Sequence, residues 1–197
     1  MKRREAVELL AVAPFVGRLP LPPAAAANGA RFVRELLATP ARTYTPQFFS
    51  PHEWQTVRVL VDLVIPKDAH SGGATDAAVP EFMDFILVSY PENQLWMRGG
   101  LAWLDTECHR RFATDFLGAG PVQRSEVLEA IAWPDRAPAG LHHGVEFFNH
   151  FRDFTASGFW SSQMGVADLQ YKGNVYVADW QGCPPEQLAK LGVRYTD

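Results

Sequence analysis

Apolar residues at helical spacing, repeatedly closed off by proline or glycine, restrict this 197-residue chain to a packed array of helices. The clearest case begins at Ser50-Pro51-His52-Glu53. Ser50 can cap, Pro51 suits the first helical position, and Glu53 stands where a capping box needs it. Trp54, Val57, Leu60, Val61 and Val64 then recur on one face until Pro66 ends the run. The same reasoning predicts helices over 76–90 (Val79, Phe82, Met83, Ile86, Leu87), 92–117 (Met97, Leu101, Leu104, Cys108, Phe112), 122–133 and 141–157 (Val145, Phe148, Phe151, Phe154). Gly158 is read as the stop of the last one. The expected fold class is all-α, a compact array of about five helices, with no alternating run strong enough to demand a sheet; Val175–Ala178 suits only a short extended piece.

Periodicity fails after Gly158. The stretch GFWSSQMGVADLQYKGNVYVADWQGCPP sets Phe159, Trp160, Tyr171, Tyr176 and Trp180 among glycines and polar loop residues. Such a run reads as an irregular C-terminal arm, 158–197, with aromatic anchors. Large rings dominate contact energy where a loop docks on another surface, and they equally serve a loop packed on its own domain. The residues alone leave both readings open.

At the other end, Lys2, Arg3 and Arg4 precede a short apolar run, Leu9–Val16, and the small residues Ala24–Ala27. This is the layout of a bacterial export signal over residues 1–27, similar to a twin-arginine signal built on Arg3 and Arg4, with Ala6 and Val7 standing where Phe and Leu are usual. An ordinary amphipathic N-terminal helix is the other reading. The run falls well short of the roughly 20 residues a bilayer requires, so it is no membrane span. Residues 28–47, with Pro40 and Pro46, read as a Pro/Ala-rich linker around a short helical piece, Arg31–Leu37, which puts the start of the folded body, 48–197, at Phe48.

The net charge of −4 becomes −6 without the first 27 residues, and no helix carries a Lys/Arg stripe, which argues against nucleic acid as a partner. Cys108 and Cys183 suit one intrachain disulfide in an exported protein, tying the arm to the body. Pairing with a partner chain and two free thiols are the other arrangements.

Motifs of resident redox or hydrolytic chemistry are missing: no GxGxxG, no CxxCH and no GxSxG occurs. The one constellation suited to a metal is His143, Glu146 and His150, which share a helix face at i, i+3 and i+7, with His142 also reaching Glu146. Histidines near a helix start are more often simply solvated. Asp62 and Asp84 read as solvated residues on the polar faces of their helices.

The segment from Gly158 through Val193 resembles the C-terminal part of the gluconate 2-dehydrogenase subunit 3 family, and the likeness extends to FFSPHEWQTVRVLVDLVIPKD (48–68), DAAVPEFMDFIL (76–87) and VEFFNHFRDFTASGFW (145–160). The resemblance implies a small accessory subunit, without catalytic, cofactor or metal residues of its own, in a periplasmic dehydrogenase acting on CH–OH groups. It implies a large FAD-binding partner of the glucose–methanol–choline (GMC) type, oxidising a sugar, sugar acid or glycoside, and a c-type cytochrome carrying haem c as electron acceptor. The small subunit would stabilise the flavoprotein and, through its twin-arginine signal, assist its export after folding. It also favours the docking reading for Phe159, Trp160, Tyr171, Tyr176 and Trp180. Two alternatives from other classes are an exported metal-dependent enzyme using His143, Glu146 and His150, and a carbohydrate-binding module.

Overall fold

The structure is a computed structural model that describes residues 21–39, 44–171, 176, 178–179 and 182–195. Among these residues there are eight α-helices and no strand. They are α1 (Pro23–Leu37), α2 (Pro51–Val64), α3 (Val79–Ser89), α4 (Gln94–Phe112), α5 (Pro121–Ala132), α6 (His142–Ser161), α7 (Gln163–Asp168) and α8 (Pro185–Leu191), with 3₁₀ turns before α4 and after α5.

The helix ends follow local chemistry. At the start of α2 the capping box forms in full: Glu53 N donates to Ser50 Oγ at 3.3 Å, and Ser50 N donates to Glu53 Oε2 at 2.8 Å. Two orphan N–H groups are thereby satisfied. Helix α4 stops earlier than its apolar spacing suggests, at Ala113, which takes a left-handed conformation (φ 57°). The chain then folds back, Phe116 N donating to Asp105 Oδ1 at 3.0 Å, which puts the Phe116 ring in the core.

Helix α6 is the centre of the array, packing against α1, α2, α3, α4, α5 and α7. It can do so because apolar or small residues recur every three to four positions, at Gly144, Val145, Phe147, Phe148, Phe151, Phe154, Thr155, Gly158 and Phe159, all buried. Its seam with α4 is a reciprocal lock. The Phe147 ring sits on Gly100 of α4, and the Trp103 ring of α4 sits on Gly144 of α6. A Cβ at either glycine would fall inside the opposing ring, so hydrogen at these positions is what lets the two helices approach.

Three sequence expectations are corrected. Gly158 does not end α6. It lies inside the helix with the Phe82 ring of α3 against it, so its missing side chain serves close packing, and the helix runs on to Ser161. Residues 28–37 are not linker, and the folded body does not wait for Phe48: the whole of Pro23–Leu37 is helix, packed on α3 and α6, with Leu21, Ala25, Gly29 and Val33 buried. The C-terminal arm is not irregular throughout, since α7 and α8 lie within it. Residues 1–20, which hold Arg3 and Arg4, and Trp180 lie outside the described residues. No helix among the described residues is long and apolar enough to cross a membrane.

Candidate partner-docking surface

The C-terminal surface is built on the end of α6. Ser162 turns the chain: its Oγ accepts from Gly165 N at 3.0 Å, capping α7, and donates to Phe159 O at 2.7 Å. Gly165 has no room for a side chain because the Phe159 carbonyl lies against it, so α7 is held tightly to α6. Gln170 then closes α7 in a left-handed conformation (φ 53°), and Tyr171 N donates to Val166 O at 3.1 Å, a Schellman-type end. A non-glycine residue takes this conformation at a cost of about 1 kcal/mol, and the result is that Tyr171 leaves the body, 63% exposed.

From there the chain displays its apolar groups. Of twelve exposed large hydrophobic residues among those described, seven (Val166, Leu169, Tyr171, Tyr176, Leu191, Val193 and Tyr195) fall between positions 166 and 195, with Tyr176 at 89% and Leu191 at 72%. Helix α8 buries none of its residues. The turn around it is closed locally: Cys183 N donates to Tyr195 Oη at 2.8 Å and the Tyr195 ring covers Gly182 (φ 83°). Exposed apolar side chains concentrated in one stretch of chain are the raw material of an interaction surface.

The five aromatic residues read as anchors therefore divide. Tyr171 and Tyr176 are free rings on the surface. Trp160 is half-buried and packs on the core, its ring edge-on to Phe159 at 4.9 Å. Phe159 is 0% exposed inside α6, so its ring serves this chain's own core. Trp180 is outside the described residues. Leu191, Val193 and Tyr195 are not among the anchors read from the sequence: after Pro185 the aromatic and glycine density of the preceding run thins to Gly192 and Tyr195 alone.

The metal triad does not assemble. Among the described residues no three His, Cys, Asp or Glu side chains converge as ligands. His142 and His143 lie against one another, tilted by 42° with 3.8 Å between ring centres, whereas His150 packs edge-on against Trp96 at 5.5 Å. The expected disulfide is not formed either: both thiols are free, Cys108 buried in the α4 stripe and Cys183 exposed beyond α7. Burial, with Asp105 and Glu107 nearby, pushes the Cys108 thiol up to about 11, so it stays a protonated apolar filler.

The acidic residues expected to be solvated are structural. Asp84 is 0% exposed and receives four hydrogen bonds, from Tyr44 Oη at 2.6 Å and from the backbone N–H groups of Gln47 (2.8 Å), Phe48 (3.0 Å) and Phe49 (3.2 Å). It clamps the incoming chain onto α3. Burial, then the bond to Asp84, drives the Tyr44 phenol far above its ordinary value, so it remains a donor at every physiological pH. Asp62 accepts from both N and Oγ1 of Thr75, at 2.8 and 2.6 Å, and fixes the loop before α3. Beside Asp84 lies a cavity of about 500 Å³, walled by the stacked rings of Phe32 and Phe85. The Asp84 carboxylate on its wall is already fully engaged.

A family model described as gluconate 2-dehydrogenase subunit 3 matches residues 51–178, from the first residue of α2 into the exposed arm. The chain belongs to this family. Comparison with curated proteins and with solved structures gives no match. Membership makes the coarse role that of an accessory subunit in a dehydrogenase complex, and the matched span takes in both the α2–α6 body and the beginning of the displayed surface.

Proposed function

We propose that this chain is the non-catalytic small subunit of a periplasmic, FAD-dependent dehydrogenase of the GMC type, which oxidises a CH–OH group of a sugar, sugar acid or glycoside and passes electrons to a c-type cytochrome. The flavin belongs to the large partner. This chain contributes binding energy: it stabilises the flavoprotein and, by bearing the Arg3-Arg4 signal, takes the folded partner through the export route. The observation that carries the reading is the concentration of exposed apolar side chains between Val166 and Tyr195 in a member of a dehydrogenase-subunit family. Burying rings such as Tyr171 and Tyr176 in partner pockets contributes about 2 kcal/mol for each well-seated anchor.

The test is capture from the native host. The full chain, with its own leader and a C-terminal tag, is recovered from the periplasmic fraction, and its spectrum and gel pattern are recorded. A larger co-purifying band with flavin absorbance is the expected result. A colourless, solitary chain contradicts the proposal, and metal analysis and sugar titration of that chain then test the metal-enzyme and carbohydrate-binding alternatives.

A further inference from the structure

The alanine run that reads as a cleavage region is helical, and one of its residues, Ala25, lies in the folded core while Ala24 and Ala27 face outward. Helix α1 begins at Pro23, with Ala25 N and Ala26 N donating to Pro22 O at 2.9 and 3.1 Å. Its inward face repeats every four residues: Leu21 (5% exposed), Ala25 (1%), Gly29 and Val33. Gly29 lies on the Phe82 ring of α3, where a Cβ would come within 2.6 Å of Cδ2, and the same ring packs on Gly158 of α6 from its other side. Phe82 is thus enclosed between α1 and α6. Further along, Phe32 stacks on Phe85 at 4.4 Å and meets Tyr44 edge-on at 6.1 Å, linking α1 to the Asp84 clamp. All of α1 lies upstream of residue 51, where the family match begins.

Cutting anywhere from Ala24 to Ala27 would detach Leu21, remove the first turn of α1 and, beyond Ala25, delete a second core residue. Proteolysis also needs a locally opened, accessible backbone, and a helix with one face in the core offers it only through unfolding. We propose that residues 21–37 are a permanent part of the mature subunit, that the bonds at Ala24–Ala27 are shielded from processing, and that removal of the leader takes place N-terminal to Leu21. Only the position of the leader cut rests on the export reading; the shielding stands on packing alone.

Two measurements on the full chain test this. First, the N-terminus of chain recovered from the periplasm is read by intact mass. The expected start is at or before Leu21, and a start between Ala25 and Asn28 overturns the proposal. Full-length chain confined to the cytosol would instead contradict the export reading. Second, elastase, which cuts after small residues, is applied to the purified folded chain, and products cut at Ala24–Ala27 are followed by mass. Cleavage there should be at least about 100-fold slower than in the urea-unfolded chain, and Gly29→Leu should raise it at least about 10-fold by forcing α1 off Phe82. Should that variant fail to fold, Leu21→Ser, which removes another buried residue of the same inward face, is the milder test and should raise the cleavage likewise. Native-chain cleavage at the unfolded rate overturns the proposal.

Discussion

Two regions of similar apolar composition end in opposite states. Between Val57 and Phe159 the chain buries most of its large hydrophobic groups, leaving Val88, Leu95, Val122 and Trp133 exposed, and Phe82, Phe116, Phe151 and Phe159 are all below 2% exposed. Between Val166 and Tyr195 it leaves seven of them facing solvent. The difference lies in what surrounds them. In the body, each ring meets a glycine or a complementary face on another helix, as Phe147 meets Gly100 and Trp103 meets Gly144. Among the described residues of the arm, α7 is capped by Ser162 and closed by a left-handed Gln170, while α8 buries none of its residues. Exposed apolar side chains on such a stretch are what the proposed docking role makes use of.

The comparison breaks most readily at the body's polar anchor. Asp84→Ala removes the acceptor for three backbone N–H groups and the Tyr44 hydroxyl together, and should lower stability by about 3 kcal/mol, read as a shifted urea midpoint. A change below about 0.5 kcal/mol would mean that residues 44–49 are held by other contacts.

A smaller effect, of opposite sign, is expected at Glu81 in the first turn of α3. Its Oε2 is buried without a hydrogen-bond partner, Arg58 Nη1 approaches Oε1 only to 3.8 Å, and burial raises its pKa. A folded-state pKa above the unfolded value means the native chain takes up the proton first. Stability from this group therefore rises as pH falls through the raised folded value, and the gain is complete below the unfolded one. Glu81→Gln should stabilise the chain by about 1 kcal/mol at pH 7 and flatten that part of the pH profile. Destabilisation at pH 7 would show that the Arg58 contact outweighs burial.

Much of the body was legible in the sequence because its signals are local. The Ser50 capping box, Pro66 and the apolar stripe of α2 need only neighbouring residues, and the observed α2 follows them. What was not legible depends on distance along the chain. Gly158 looks the same whether it ends a helix or seats Phe82, which comes from another helix. Asp84 looks like a surface residue until its partners arrive from 35 to 40 positions earlier. Helix α1 is hard to read because its buried face includes the small residues Ala25 and Gly29, and its first turns sit in a run that also resembles a cleavage region. The His143, Glu146 and His150 pattern satisfied helical spacing, but rotamers and neighbours such as Trp96 decide where imidazoles point.

The claim that the arm exists for a partner is tested most directly by the double variant Tyr171→Ser/Tyr176→Ser. These rings are 63% and 89% exposed, so thermal stability of the isolated chain should move by less than about 0.5 kcal/mol. Capture of the flavoprotein from the periplasmic fraction should fall by at least about 10-fold. Trp160 is a poorer probe because it also packs on the core. Unchanged capture by a double variant that melts like the parent would contradict the docking role of this surface.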